Sequence, residues 1–497
     1  MNAVRDMASE ARRARQAEVA SALAPGLAAG AVLTAREELK PYECDGLSAY
    51  RETPLVATLP ANEAEVAAIL AVARRTKTPV VARGSGTGLS GGALPLADGI
   101  LLSLAKFNRV VAVDALARTA RVQPGVTNLR ISQHVAPLGL YYAPDPSSQI
   151  ACSIGGNVAE NSGGVHCLKY GLTVHNILRV RAITIEGDML ELGSAALDTP
   201  GYDLLALITG SEGLLAVTLE VTVRLLAKPE VAQVVMASFP DVESAGEAVA
   251  RVIGAGIVPA GLEMMDKLAT IAVEGFVHAG YDLEAAAILL AESDGTREEV
   301  AHEIEKMIEV MRASGATDVR CSSSEAERLK FWSGRKAAFP AVGRISPDYY
   351  CIDGSIPRGA LAHVLNRTGE MSAKYRLRCA NVFHAGDGNL HPLILYDANV
   401  PGELDRTEQF AAELLELCIK VGGTITGEHG VGVEKINQMC LQFTAAELAQ
   451  FRAVKAAFDP DGLLNPGKGV PTLHRCAEYG AMRVKSGALP HPDLPRF

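Results

Sequence analysis

Hydrophobic and polar residues follow different patterns in the two halves of the chain. Residues 51–229 contain short runs of valine, isoleucine and leucine separated by glycine-rich turns, the pattern of short strands. The runs predict strands over Pro79–Ala82, Ile100–Ser103 and Ile177–Ile185, and an amphipathic stretch predicts a helix over Ala61–Arg75. This half is therefore expected to be α/β or α+β.

Beyond residue 229 the glycines become sparse and hydrophobic positions recur with the period of a helix. This pattern predicts long helices over Val242–Ile253, Arg297–Ser314, Glu403–Val421 and Ala445–Phe458. We predict a second domain over 230–469, after a first domain over 51–229. Residues 1–50, rich in alanine and arginine, form a predicted helical segment, and residues 470–497 a predicted surface tail.

Composition and charge exclude several classes of protein. Of the 497 residues, 48% are apolar and 21% are charged, which is the balance of a globular protein. The net charge is −10 and no basic stripe is present, so nucleic acid is not expected as a partner. No run approaches the roughly 18 apolar residues of a membrane span, so no transmembrane segment is predicted.

The N-terminus allows two interpretations. Arg12, Arg13 and Arg15 precede the small-residue stretch Ala20–Leu33, as in a cleaved leader. Acidic residues lie among these arginines, and Pro25 interrupts the apolar stretch, so we favour a surface helix and a cytoplasmic protein.

The nine cysteines are spread singly, without a Cys-x-x-Cys pair. This spacing predicts free thiols in a reducing compartment and excludes an iron–sulfur cluster of the common ferredoxin type in this chain. Electrons that leave one at a time would need a second protein to receive them.

A glycine loop follows the first predicted strand directly. Gly86, Gly88 and Gly91 match the dinucleotide-binding pattern, in which a helix begins at the loop and places its N-terminus on the pyrophosphate. Here Pro95 and a new strand at Ile100 follow instead. We therefore predict no helix at this point and no nicotinamide site.

Small residues are concentrated again between residues 142 and 171. So dense a run is expected where backbone packs against a large flat ligand, although a plain series of turns would use the same residues. A third glycine segment, Gly210–Val217, joins a predicted helix to a strand, where an ordinary helix cap would look the same.

Together these segments resemble the PCMH-type FAD-binding domain of the vanillyl-alcohol oxidase superfamily. The matching motifs are Arg83–Gly88, Pro144–Ser148, Ile154–Asn157, Asn161–Gly164 and Gly210–Gly213. Within it the chain resembles, from about residue 40 to Lys468, the branch of D-lactate dehydrogenase, D-2-hydroxyglutarate dehydrogenase and the glycolate oxidase flavoprotein subunit. The resemblance implies an α+β fold, with a two-part FAD-binding domain followed by an FAD-linked oxidase cap domain of sheet and helices.

The resemblance also implies which residues surround FAD. Relatives with covalent flavin usually carry histidine where this chain has Thr87, so the flavin is expected to be non-covalent. The implied cofactor-binding residues are Arg83, Gly84, Ser85, Gly86, Thr87, Gly88, Pro144, Asp145, Ile154, Gly155, Asn157, Asn161, Gly163, Gly164, Tyr170, Gly171, Glu212, Gly213 and Asn465.

The second domain carries histidines and a glutamate suited to a metal. His384 and His391 flank a Gly-Asp-Gly turn, and Glu428 lies in Thr426–Gly432. Imidazole plus carboxylate suits Zn²⁺, Mn²⁺ or Fe²⁺, although single histidines are more often structural. In the relatives the corresponding residues bind a divalent metal and the adjoining histidine is the base. That role would fall to His429, whose alternative is to orient a metal ligand.

The resemblance implies a 2-hydroxy acid as substrate, and the carboxylate of such an acid is best bound by a fixed cation. Arg335 lies in a stretch that resembles the family's Trp-x-x-Arg, although a surface ion pair is the alternative. Tyr350 and its neighbours replace a lysine that hydroxyglutarate-type relatives carry before Asp353, which argues against a dicarboxylic substrate.

The resemblance thus implies FAD-dependent oxidation of a small 2-hydroxy acid, glycolate and also D-lactate. It further implies a second flavin-domain subunit and an iron–sulfur subunit as partners, through which the chain would lie on the inner membrane. The alternatives are a stand-alone D-lactate or D-2-hydroxyglutarate dehydrogenase and a non-catalytic subunit that conducts electrons.

Overall fold

The computed structural model describes residues 2–196 and 201–471, so the predicted tail lies outside the described residues from position 472 onward. The helices of the first half are α1 (Asn2–Leu23), α2 (Arg36–Leu39), α3 (Glu63–Thr76), α4 (Asn128–Val135), α5 (Ile154–Glu160), α6 (Cys167–Tyr170) and α7 (Leu204–Ile208). Its strands are β1 (Val32–Leu33), β2 (Val56–Thr58), β3 (Val80–Arg83), β4 (Ile100–Ser103), β5 (Val110–Asp114), β6 (Thr119–Val122), β7 (Leu140–Tyr141), β8 (Ile177–Ile183), β9 (Met189–Gly193), β10 (Val217–Arg224) and β11 (Leu226–Ala227).

The second half begins with strand β12. Its strands are β12 (Val231–Phe239), β13 (Gly261–Asp266), β14 (Ala287–Gly295), β15 (Asp318–Cys321), β16 (Asp348–Cys351), β17 (Arg378–Phe383) and β18 (Pro392–Tyr396). Its helices are α8 (Val242–Gly254), α9 (Lys267–Val277), α10 (Arg297–Ala313), α11 (Glu325–Lys336), α12 (Ala338–Val342), α13 (Leu361–Tyr375), α14 (Glu403–Lys420), α15 (Ile436–Gln442) and α16 (Ala445–Phe458).

The first half is built on two main sheets. One has the order β1-β2-β4-β3 with parallel pairing among β2, β4 and β3, and the other is the antiparallel sheet β5-β6-β10-β8-β9. Along β10 buried residues alternate with partly exposed ones, which is the pattern of a strand with one face in the core. The N-terminal segment belongs to this half, because β1 pairs with β2. Within the segment predicted to be helical, β1 is therefore a strand.

The second half is one antiparallel sheet of seven strands in the order β15-β12-β14-β13-β17-β18-β16. Separate hydrophobic clusters lie on its two faces, one containing Phe239 and Phe410 and the other containing Trp332 and Leu393. Several of its helices begin at a side-chain cap; Thr296 and Glu299, for example, form a reciprocal pair at the start of α10. The chain then returns to the first half, where Leu464 pairs with Val80 of β3.

The predicted elements are confirmed to within a few residues, as is the α+β class. The helices predicted in the second half correspond to α8, α10, α14 and α16. No helix separates β3 from β4, as expected from the proline and glycine content of that loop. Among the described residues no helix is both long and apolar enough to cross a lipid bilayer.

The prediction that all thiols are free is wrong at Cys440, which is disulfide-bonded. Seven other cysteines in the described part of the chain are free. Spacing along the chain does not show which sulfur atoms the fold brings together, so the sequence could not identify this exception.

Candidate active site

A cavity of about 530 Å³ lies between the two halves of the molecule. Its size is typical of a site for a cofactor or small ligand. The second half contributes His391, Glu428 and His429, while the first half contributes most of the glycine-rich wall. The predicted cofactor-binding residues that line it are Arg83, Gly84, Ser85, Gly86, Thr87, Gly88, Gly155, Asn157, Glu212 and Gly213.

The glycines of the wall have two different functions. A β-carbon on Gly88 or Gly213 would meet no protein atom within 4 Å, so these positions leave room for a ligand to approach the backbone. A β-carbon on Gly84 would instead lie 2.1 Å from Ser153 Oγ, so that glycine is required for the loop to pack on the start of α5. Gly86, with φ +70°, folds over the guanidinium of Arg83. The wall fits a large flat cofactor such as FAD.

Other predicted cofactor residues lie behind the cavity and support it. A β-carbon on Gly163 would come within 2.5 Å of Glu428 Oε2, so the second glycine cluster packs directly on the candidate metal ligand. Asn465 donates to the carbonyls of Gly92 and Glu212 at 2.9 and 2.7 Å, tying the chain's return segment to the wall. Pro144, Ile154, Asn161, Gly164 and Gly171 are also outside the lining.

Asp145 and Tyr170 lie outside the lining of this cavity. Asp145 accepts from the imidazole of His166, and the Tyr170 hydroxyl donates to Asp294 of β14 at 2.7 Å. Tyr170 is therefore used for a contact between the two halves, whereas Asp145 contacts His166 of its own half, which in turn bonds to Glu292 of the second half.

His384, His391 and Glu428 come together as the sequence predicts. Glu428 Oε1 lies 3.3 Å from His384 Nε2 and 3.2 Å from His391 Nε2, and the two imidazole rings are 5.0 Å apart. One ligand atom from each residue lies within 4.8 Å of the others, and the buried His391 Nε2, although close to Glu428, is not aligned for a hydrogen bond with it. Two imidazoles and a carboxylate in this arrangement fit a divalent metal.

A glutamate that the sequence did not reveal orients His384. Glu263 Oε1 of β13 lies 2.7 Å from His384 Nδ1, leaving Nε2 directed toward Glu428. Burial opposes the charged imidazole, but the charge and hydrogen bond of Glu263 raise the pKa of His384 well above its ordinary value. Metal-binding histidines commonly have such a carboxylate behind them, but only the β13–β17 pairing places this one.

His429 lies beside the cluster in a different environment. Its ring stacks on that of His391 with centroids 4.9 Å apart, and its Nδ1 is buried without a hydrogen-bond partner. Burial lowers the pKa of His429 to about 4, although Asp353 opposes this shift. The imidazole is therefore neutral at neutral pH, the form that can accept a proton.

Asp353, just beyond β16, fixes the turn that carries Glu428 and His429. Its carboxylate accepts the backbone N–H groups of both residues and that of Gly427. It also pairs with the fully buried Lys435 at 2.8 Å. The turn is thus held to the end of a strand.

Arg335 is not on the surface, so the alternative of a surface ion pair is wrong. It is only 1% exposed, and its Nε donates to Glu263 at 2.7 Å, while both terminal nitrogens are buried without a partner. It lies outside the cavity lining, next to the carboxylate that orients His384. Its two unpaired nitrogens are suited to bind an anion.

The second half also contributes cavity residues that the sequence did not indicate. Lys336 follows Arg335 and lines the cavity, as do Phe339 and Tyr349, whose rings pack edge to face at 5.7 Å. Lys336 was detectable as a second cation in the same motif. The aromatic pair was not, because it joins α12 to β16.

Sequence comparison supports the interpretation of both halves. Residues 54–193 match the family described as FAD binding domain, and residues 228–469 match FAD linked oxidases, C-terminal domain. The glycolate oxidase subunit GlcD of Escherichia coli strain K12 is 63% identical over 473 residues, covering 95% of this chain and 94% of that protein.

The chain belongs to the FAD-linked oxidase family.

Other members are more distant. GlcD of Bacillus subtilis is 37% identical, covering 86% of this chain and 91% of its own length. A D-lactate dehydrogenase of Archaeoglobus fulgidus is 33% identical, covering 84% of this chain and 92% of its own. As a member of this family the chain is an FAD-linked oxidoreductase of the 2-hydroxy acid type, and FAD is its cofactor.

Solved structures share the fold of this chain at low sequence identity. The structure of p-cresol methylhydroxylase with substrate bound superposes with a TM-score of 0.78 at 17% identity, covering 93% of this chain and 98% of the other. This likeness confirms the two-part architecture.

Proposed function

We propose that the chain is the catalytic subunit of a multi-subunit glycolate oxidase, oxidising glycolate to glyoxylate and also D-lactate to pyruvate with an acceptor other than NAD. The observation that carries the proposal is the meeting of His384 with His391 and Glu428, which line the cavity together with His429. The 63% identity to a glycolate oxidase subunit supports this choice of substrate.

The metal and the flavin have separate tasks. His384, His391 and Glu428 would hold a divalent metal, Zn²⁺, Mn²⁺ or Fe²⁺, which would polarise the substrate hydroxyl. FAD would take up the hydride that leaves Cα, so that the alcohol is oxidised as the flavin is reduced.

Proton transfer, binding of the substrate carboxylate and positioning are performed by side chains of the protein. The neutral imidazole of His429 takes the hydroxyl proton, which leaves a carbonyl once the Cα hydride has gone. Lys336, which lines the cavity, supplies the cation for the substrate carboxylate, and the buried Arg335 beside it adds positive charge behind the cavity, where it holds Glu263. Asp353 holds Glu428 and His429 in place by accepting their backbone N–H groups.

The subunit arrangement is part of the same proposal. The chain lacks closely spaced cysteines for an iron–sulfur cluster, so electrons would pass to an iron–sulfur subunit beside a second flavin-domain subunit. These partners would hold the chain at the inner membrane. A second candidate, a stand-alone D-lactate dehydrogenase, is favoured by the 33% identity to the Archaeoglobus enzyme.

The deciding experiment mixes the purified, FAD-loaded chain anaerobically with glycolate, D-lactate or D-2-hydroxyglutarate and follows flavin absorbance. We expect bleaching by glycolate and D-lactate, its loss after chelation, and its return with added Zn²⁺, Mn²⁺ or Fe²⁺. Glu428→Gln should keep its flavin but resemble the chelated protein, while the exposed Glu298→Gln should behave as the parent chain.

Other outcomes would change the assignment. Bleaching by D-2-hydroxyglutarate alone would make the chain a hydroxyglutarate dehydrogenase. A flavin- and metal-replete chain inert to all three acids would leave the electron-conducting role. Acid precipitation should release all the flavin, because Thr87 offers no covalent attachment by histidine.

A further inference from the structure

His166 joins the two halves of the molecule through two carboxylates. Its Nδ1 lies 2.8 Å from Asp145 Oδ2 in the first half, and its Nε2 lies 3.2 Å from Glu292 Oε1 of β14 in the second. The His166 side chain is 20% exposed and that of Glu292 is 3% exposed. An imidazole can donate from both nitrogens only when it is protonated, so this geometry selects the imidazolium.

Glu292 connects that imidazole to α11. Its other oxygen accepts from Arg328 at 2.7 Å and from the indole N–H of Trp332. The carboxylate is therefore shared by one residue of the first half and two residues of a helix in the second. Cutting any of these contacts leaves a buried charge without a full set of partners.

The same face of α11 reaches the candidate metal site. Arg328, Trp332 and Arg335 are spaced four and three residues apart, so they lie on one face of the helix. Arg335 binds Glu263, which orients His384. Glu263 and Glu292 share a face of the sheet, because Glu292 pairs across the strands with Gly261, two positions before Glu263.

A second contact fixes the segment that carries His166. Lys169 Nζ lies 2.6 Å from Asp294 Oδ1, and the Tyr170 hydroxyl donates to the same carboxylate. Asp294 is two positions from Glu292 on β14 and so points to the same side. The segment 166–170 is thus anchored twice on one strand.

On the first half, His166 holds the loop that contains Asp145. The next residues of that loop, Pro146, Ser147 and Ser148, line the cavity. The loop wall of the cavity and the helix that carries Arg335 are consequently connected through one imidazole.

We propose that His166 is a positioning residue whose two hydrogen bonds hold the Pro144–Ser148 loop against α11. The part of the cavity lined by this loop and the helix that carries Arg335 then keep their relative placement. The inference rests on the proposed function only for the turnover measurement. Cofactor affinity tests it independently of any substrate.

The test compares His166→Gln and His166→Arg with His134→Gln, which changes an exposed histidine of α4 in the same half. FAD affinity is measured by titrating the flavin-free full-length chain and following flavin fluorescence. For His166→Gln we expect the FAD dissociation constant to rise about tenfold or more, and KM for glycolate to rise while kcat changes less. His166→Arg, which keeps a cation with several donors, should recover most of both losses.

A second variant guards against a misfolded protein. Asp145→Asn keeps the side-chain size and weakens the same contact. The double variant with His166→Gln should lose little more FAD affinity than either single variant. Additive effects in that cycle would overturn the coupling. So would a His166→Gln chain whose FAD affinity and KM match those of His134→Gln. If the parent chain binds FAD but oxidises no glycolate, the proposed function fails and the affinity comparison still decides the role of His166.

Discussion

The surroundings of His384 and His429 shift the pKa values of these two histidines in opposite directions. His384 is held toward its charged form by Glu263, whereas His429, stacked on His391 and deprived of a hydrogen bond at Nδ1, is held neutral by burial. Residues of the same type within one cluster are therefore suited to different work. A metal that bound His384 would displace its Nε2 proton while Glu263 kept the ring oriented through Nδ1, whereas a base needs a free lone pair before the reaction begins.

At this scale we predict the effect of His429→Asn. Asparagine keeps much of the size and polarity but cannot act as a general base, so kcat with glycolate should fall by about 10²–10⁴. FAD content and bound metal should stay as in the parent chain, measured by flavin absorbance and elemental analysis. His302→Asn on the exposed face of α10 is the control. An unchanged kcat would assign the proton transfer to another group.

Among the elements, the end of β16 and the turn 426–432 form one unit. Asp353 accepts backbone N–H groups from the turn and neutralises Lys435, which has no exposed surface. Glu212 of the first half accepts the N–H groups of Val431 and Gly432 at 2.6 and 2.7 Å. The turn that carries the ligand and the base is thus fixed from both halves.

The corresponding prediction concerns Asp353→Asn. The amide keeps the shape but deprives Lys435 of its nearest buried carboxylate and replaces one acceptor by a donor, so the free energy of unfolding should fall by about 3–5 kcal/mol. Metal affinity should fall as well, because Glu428 is no longer held. Asp348→Asn, at the other end of the same strand, is the matched control, since its carboxylate accepts the N–H of Ala398 and no other hydrogen bond within the described ranges 2–196 and 201–471. Equal urea midpoints for the two variants would contradict the prediction.

Over the whole molecule, the cavity exists only because the two halves meet. The glycine wall comes from the first half and the histidine cluster from the second, and the contacts of His166 and Lys169 with β14 fasten one to the other. Burial lowers the pKa of His166, but the charge and hydrogen bond of Asp145, together with Glu292, outweigh it and raise that pKa to about 10. Burial likewise raises the pKa of Glu292, but His166 and Arg328 lower it to about 2.

These shifts predict a pH dependence of stability. A raised pKa contributes stability that is full below the ordinary histidine value of about 6.5 and is lost as the pH rises through the folded value. The difference in urea midpoint between the parent chain and His166→Gln should therefore be largest near pH 6 and shrink toward pH 10. The charged groups at this contact are Asp145, Glu292 and, beyond Glu292, Arg328. A difference that stays constant from pH 6 to 10 would show that His166 is not charged in the folded protein.

The sequence by itself determined the local features of this protein. Hydrophobic periodicity located the long helices and the strands, because both depend on residues that are near neighbours in the chain. The proline and glycine content of the loop after β3 excluded a helix there. Residue types identified His384, His391, Glu428 and His429 as candidates, since metal and proton chemistry need particular side chains.

Only the tertiary structure decided which partner each buried group receives. Arg335 and Asp145 stood in recognisable motifs, yet the first is enclosed beside Glu263 and the second faces His166. Glu292 was not identifiable from the sequence, because its partner His166 lies 126 positions away. A buried charge is stabilised by whichever opposite charge the packing brings within reach, and that pairing depends on how distant segments meet.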